Sequence, residues 1–267
     1  MTTLLSAMWF DGRPVEGAPV CQLHGSFHQT TRGYSPISVC DRACRGYGPW
    51  LDANGVLIES NFQDWTESVK TPECVLDAED GYAELWPTVQ RMLELAQERR
   101  PDVRWGFYVG RSGRGMNADE KDLLADEDPA MIEAAKVAQF VVQCIYPFIT
   151  DEPTMQMDGT YDWQRLGFYR HCVGYDLRRW AIRGVPVVPI VSGCYHAREG
   201  PEGVLEANRA CSLHLMRVQL GFAARFPHAI SWGGFRHGPE PGSLPWATHG
   251  QPWQYLAGPL TAPGSTA

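Results

Sequence analysis

A single α/β domain folded as a (β/α)8 TIM barrel is the fold class that this sequence predicts. Three observations predict it. The chain has 267 residues, close to the roughly 250 typical of a one-domain barrel. From about residue 83 onward, short apolar runs alternate with amphipathic helical patterns, as in a parallel sheet covered by helices. Counted over the whole chain, the candidate strands number eight.

The first third is the irregular part. Residues 4–10, 20–27 and 55–62 (GVLIESNF) read as strands one to three, and residues 73–79 (ECVLDAE) as the fourth. Helical periodicity between them is weak. Residues 30–54 are rich in Gly, Pro and Arg and read as a long loop, a length that often goes with function.

The remainder is more regular. Leu85, Val89, Met92, Leu93 and Ala96 recur at helical spacing within residues 83–100, and Pro101 stops that helix. VRWGFYVG (103–110) is the fifth strand, residues 129–138 a short helix, and FVVQCIYPF (140–148) the sixth strand. A long helix over 163–184 presents Leu166, Tyr169, Val173, Leu177, Trp180 and Ala181 on one face. PVVPIVSGCY (186–195) is the seventh strand, 205–226 another helix, and AISWGGF (229–235) the last strand. A doubly wound open sheet is the rival fold, but no Gly-rich phosphate turn follows the first strand. The expected division is a barrel over 1–240 and an extension over 241–267, whose Trp246, Trp253 and Tyr255 pack it on the body.

Composition bounds the function. The net charge is −8, which disfavours duplex nucleic acid and anionic membranes as general partners. No apolar run is long enough to span a membrane. Residues 1–10 lack the pattern of a signal peptide, so the expected location is the cytoplasm or a larger particle that carries the chain. No cofactor is expected. Of the eight cysteines, Cys21, Cys74, Cys144 and Cys194 fall in strands and Cys172 and Cys211 in helical patterns, where a thiol behaves as a small hydrophobe. Cys40 and Cys44 flank a loop and could bridge or bind metal. His24 and His28 sit at a strand end, where their spacing suits metal poorly, so no metal is expected.

Active sites of such barrels lie at the carboxyl ends of the strands. The fourth strand ends in Asp77-Ala78-Glu79, and side chains two apart on a strand share a face. Two close carboxyls do not ionise together easily, so one is available as a general acid. The other strand ends supply Glu59 and Asn61; Trp105, Tyr108 and Arg111; Gln143, Tyr146 and Asp151; Tyr195 and His196; and Trp232. Aromatic faces edged by hydrogen-bonding groups suit sugar rings. Gly110-Arg111-Ser112-Gly113-Arg114-Gly115 is neither a Walker loop nor a dinucleotide fingerprint. Its arginines could hold an anionic group such as a uronate. Ser112 and Ser192 lack a nucleophile elbow.

Val75-Leu76-Asp77-Ala78-Glu79-Asp80, then Glu84-Leu85-Trp86-Pro87 and Arg104-Trp105-Gly106-Phe107-Tyr108, resemble the corresponding stretch of the hyaluronidase family of glycoside hydrolases. Tyr146-Pro147, the run over 186–195 and Ser231-Trp232-Gly233 follow in that family's order. The chain departs from it at Ala78, where the family has an aromatic residue, and its disulfides are not evident here. The resemblance implies a glycosidase acting on a polysaccharide with N-acetylated sugars by a retaining mechanism. Glu79 would protonate the leaving oxygen and later activate water. The substrate acetamido group would be the nucleophile, oriented by Asp77. Tyr146 and Tyr195 would hydrogen-bond the reacting sugar, and Trp232 would pack under it. The seventh strand has no carboxylate before Glu199, so the nucleophile is either the substrate or a carboxylate of another strand, with Glu59 the candidate. The alternative is a non-catalytic barrel that binds glycan or builds a larger assembly such as a phage particle.

Overall fold

The computed structural model describes residues 3–7, 22–24, 37–40, 50, 52, 56–69, 71–76, 86–111, 128–192 and 211–232, with the backbone path alone for the first three segments. Eight strands form one sheet: β1 (Thr3–Ala7), β2 (Gln22–His24), β3 (Ile37–Cys40), β4 (Glu73–Leu76), β5 (Arg104–Val109), β6 (Phe140–Cys144), β9 (Val187–Ser192) and β10 (His228–Trp232). All seven pairings between them are parallel. Two short strands, β7 (Thr154–Met155) and β8 (Tyr161–Asp162), make a separate antiparallel hairpin.

The order across the curled sheet is β1-β10-β9-β6-β5-β4-β3-β2. From β2 on, each strand lies beside its successor, and the last pairs with the first. This is the neighbour order of a (β/α)8 barrel. Among the described residues no pairing joins β1 to β2.

The strands divide their side chains between two cores, as alternation requires. Leu76, Trp105, Phe107, Val141 and Val191 face the helices and pack with Met92, Tyr169, Trp180 and Leu215. Val75, Tyr108, Val142, Cys144, Tyr146, Ile190 and Ile230 form the second core, on the opposite face of the sheet. Gly106 also belongs to that inner face. A Cβ there would stand 2.6 Å from the Phe140 carbonyl oxygen, so β5 and β6 approach as closely as they do only because the side chain is missing.

Five helices are described: α1 (Glu59–Thr66), α2 (Trp86–Arg99), α3 (Pro129–Val137), α4 (Gln164–Ile182) and α5 (Leu213–Ala223). Local chemistry sets their ends. Asp128 caps α3 by accepting from the Ala130 amide at 2.8 Å, with Pro129 in the first turn. Ser212 caps α5 in the same way through the Leu215 amide. At the end of α4, Gly184 (φ 70°) donates to Ala181 O and Val185 donates to Trp180 O. That pair of bonds is a Schellman motif, which requires the left-handed residue that glycine supplies. None of the described helices is long and apolar enough to cross a membrane.

Two expectations for the first third are corrected. Residues 55–62 are not the third strand, because α1 begins at Glu59. Its buried Phe62 and Thr66 sit four apart, with Trp65 stacked on Phe62 at 5.5 Å, and Val69 follows, buried. The third strand is instead Ile37–Cys40, inside the stretch expected to be a loop. Cys74, Cys144, Cys172 and Cys211 are buried and in no disulfide, and Cys211 lies just before α5 rather than within it. Cys21, Cys44, Cys194, His28 and the extension over 241–267 lie outside the described residues.

Candidate active site

The carboxyl ends of β5 and β6 bring two tyrosines together. Tyr108 is the next-to-last residue of β5, and Tyr146 follows β6 by two positions. Both lie on the inner face, and their hydroxyls meet at 2.9 Å. Both rings are buried. Cys144 shares this core. Burial pushes its thiol up to about 11, against opposing hydrogen bonds from both tyrosines. The site thus has a dry floor with phenol groups at the strand ends.

Behind the floor lies a buried ion pair. Arg111, two residues past β5, donates from Nη1 to Asp151 Oδ2 at 2.5 Å and from Nη2 to Oδ1 at 3.0 Å. Their side chains are 3% and 5% exposed. Arg111 also donates to the Tyr146 carbonyl at 3.4 Å and lies over the rings of Phe148 and Tyr169. Asp151 Oδ2 accepts from the Phe148 amide at 2.7 Å, and the Tyr169 hydroxyl donates to the Ile145 carbonyl. Residues 145–151 are therefore held on both sides of Tyr146. The expectation that Arg111 holds a substrate carboxylate changes accordingly. Its charge is already matched by Asp151, and its guanidinium is closed to solvent.

Two other residues named for the site face the helices instead. Gln143 donates to the carbonyls of Gly110 and Cys144 at 3.0 Å and accepts from Trp180 Nε1 at 2.8 Å and Arg179 Nη2 at 3.0 Å. It ties β6 to α4 and has no route to the inner face. Trp105 is fully buried against Trp65 and donates to the Arg100 carbonyl at 3.2 Å.

Glu59 is also displaced from the role considered for it. It opens α1 rather than ending a strand, and it is half-exposed. Arg91 of α2 grips it through two bonds, at 2.7 and 3.0 Å. Those bonds from Arg91 lower its carboxyl pKa. An outward carboxylate paired between two covering helices is not positioned as a nucleophile on the inner face. Trp232 ends β10, in register with Ser192 of β9 and Ala7 of β1. Asp77, Glu79, Tyr195 and His196 lie outside the described residues. The residue that sequence reasoning left without a role is Asp151. The only signal for it was an acid five positions after Tyr146.

No protein-family model and no curated protein sequence matches the chain. Solved structures similar to it include the catalytic domain of a mannanase from Streptomyces sp. SirexAA-E (12% identity, TM-score 0.45, covering 91% of this chain and 77% of that one). A variant of the glycoside hydrolase domain of PelA from Pseudomonas aeruginosa is 13% identical, with TM-score 0.32, covering 71% of this chain and 67% of that one. The GH18 chitinase ChiB of Flavobacterium johnsoniae is 8% identical, with TM-score 0.33, covering 66% and 58% respectively. Likenesses at this level bear on neither substrate nor mechanism.

Proposed function

We propose that the chain is a glycoside hydrolase acting on a polysaccharide, with Glu79 as proton donor and later general base and Asp77 as its partner. The observation that supports this most is the register of β4 on β5. Val75 pairs with Gly106 and Leu76 with Phe107. If that register were continued by one step, position 77 would fall opposite Tyr108, on the face that Val75 and Tyr108 share. Neighbouring strands run about 4.8 Å apart. A carboxyl there would stand next to the Tyr108–Tyr146 hydroxyl pair, and one at position 79 would follow on the same face.

In this reading the sugar is N-acetylated and its own carbonyl attacks the anomeric carbon. Asp77 orients the acetamido group, and Tyr146, Tyr108 and Tyr195 hydrogen-bond the reacting unit. Trp232 packs beneath it. Glu59 has no part, and the substrate acetamido group is taken as the nucleophile. Proton transfer by Glu79 is then the chemical work the protein does itself. The reading takes the eight strands as a closed barrel over 1–240, covered in part by 241–267.

The test is reducing-end release from a panel of soluble polysaccharides by the full chain and its Glu79→Gln and Asp77→Asn variants. Glu79→Gln should lose about 10²- to 10⁴-fold in turnover while still binding the polymer. Unchanged turnover in Glu79→Gln would overturn the assignment. Binding without turnover by the native chain would favour the non-catalytic glycan-binding or assembly role.

A further inference from the structure

The β7–β8 hairpin carries an aromatic surface that the proposed chemistry does not use. Six large hydrophobic side chains are exposed among the described residues, and four of them, Met155, Met157, Tyr161 and Trp163, fall within nine positions. Such clustering differs from the scattered single hydrophobics that are normal on a surface. Met155 and Tyr161 are cross-strand partners. The Tyr161 and Trp163 rings lie 5.4 Å apart, and His214 meets Trp163 edge-on at 4.7 Å. Tyr161 and Trp163 remain 38% and 46% exposed after those contacts.

The surface is built to keep its shape. Gly159 takes φ 83° in the turn, and Gln156 donates to Thr160 O at 2.7 Å. Asp158 Oδ1 accepts from both the amide and the hydroxyl of Thr160, at 2.9 and 2.7 Å. Asp162 accepts from the Gln164 amide at 2.9 Å. A rigid aromatic face loses little freedom when it binds.

Its position relates it to the proposed site. The hairpin follows β6 by way of Asp151, the residue that grips Arg111. His214 lies in the first turn of α5, just past Cys211, whose thiol contacts the carbonyl of Ser192 at the end of β9. Both supports of the aromatic face therefore belong to the carboxyl end of two adjacent strands, β6 and β9.

We propose that Tyr161, Trp163 and His214 form an outlying platform that binds a neutral stretch of the same polysaccharide, several sugars away from the point of cleavage. The proposal rests on the glycosidase reading for the identity of the ligand. Ring faces take the CH face of a pyranose, and the polar groups around them take its hydroxyls. Charge decides between neutral and acidic polymers. Hydrogen bonds from Thr160 hold the Asp158 carboxyl below its ordinary range, and Asp162 stands beside Tyr161 and Trp163. Fixed carboxylates at the rim repel a polyuronate.

The experiment is affinity electrophoresis of the full chain through gels containing glycol chitin, hydroxyethyl cellulose, galactomannan or hyaluronan, with sedimentation run in parallel. The native chain and Glu79→Gln should both be retarded by at least one of the three neutral polymers. Trp163→Ala with Tyr161→Ala should weaken that retardation roughly tenfold or more, as loss of an aromatic anchor does. Val56→Ser, an exposed apolar position on another part of the fold, should leave it unchanged. Four results overturn the platform: no retardation by any polymer, retardation by hyaluronan alone, full retardation of the double variant, or a dimer that the double variant dissociates. Retardation of a native chain that never hydrolyses overturns the catalytic reading and leaves the platform standing. Hydrolysis with undiminished retardation of the double variant does the reverse.

Discussion

Arg111 and Asp151, 40 positions apart in the chain, meet in a two-bond ion pair from which solvent is all but excluded. Burial works against the charged guanidinium, yet Asp151 holds the Arg111 pKa above the ordinary arginine value. The cost of burying both ions is met only while both are present. Asp151→Asn should therefore destabilise the fold by about 3–5 kcal/mol, because it strands a buried cation. Arg111→Met combined with Asp151→Leu should cost less than either single change. Urea denaturation of Arg111→Met, Asp151→Leu and the double variant gives the coupling directly, and additive losses would show that the pair is not a unit.

Tyr146 is held from behind by that pair and meets substrate, in the proposed reading, from the front. Removing its hydroxyl should separate the two roles. Tyr146→Phe keeps the ring in the core but takes a partner from the buried Tyr108 hydroxyl, so stability should fall by about 1–3 kcal/mol with the fold intact. Turnover should fall by about tenfold or more through kcat, since a hydrogen bond to the reacting unit is lost. Steady-state kinetics alongside thermal denaturation would check both. An unaltered kcat would remove Tyr146 from the chemistry.

How far the sequence could be read depended on whether an element's signal was local. The run VRWGFYVG is apolar from Trp105 to Val109 because β5 is buried on both faces there, and it was legible as such. One helix end was legible too, at Pro101, while the cap at Asp128 and the left-handed turn at Gly184 came from the structure. The strand β3 was not, because ISVC is only four residues long and lies among Gly, Pro and Arg. In α1 the apolar Val56-Leu57-Ile58 run just before it hid a helical spacing carried by Phe62, Trp65 and Thr66. That error moved Glu59 from a covering helix to a strand end. Alternation could separate Trp105 from Tyr108, since they stand three apart on one strand and so face opposite ways. The Arg111–Asp151 contact could not be read at all. It depends on two loops meeting in space, and neither loop has a pattern that names its partner.

Cys144 makes the fold sensitive to alkali. Burial raises its thiol from about 9 to about 11, so between those values the unfolded chain releases a proton that the folded chain keeps. Unfolding is then favoured as pH rises, and stability should decline from about pH 9 toward pH 11. The loss is on the order of 2–3 kcal/mol for this thiol. Burial raises Cys172 in the same direction. Cys144→Ala should show a shallower decline than the native chain. Urea midpoints at pH 8, 9.5 and 10.5 would reveal it, and parallel declines would mean that the thiol contributes nothing.

The pairing of β1 with β10 has a consequence for how the molecule is made. Thr3 lies opposite His228 and Ala7 opposite Trp232, so β1 leaves the ribosome long before the strand it pairs with. Until about residue 232 has been synthesised, β1 has no neighbour along that edge, and the loop to be closed spans most of the chain. Synthesis halted short of β10 would release a product in which that edge of β1 offers bare backbone to whatever it meets first.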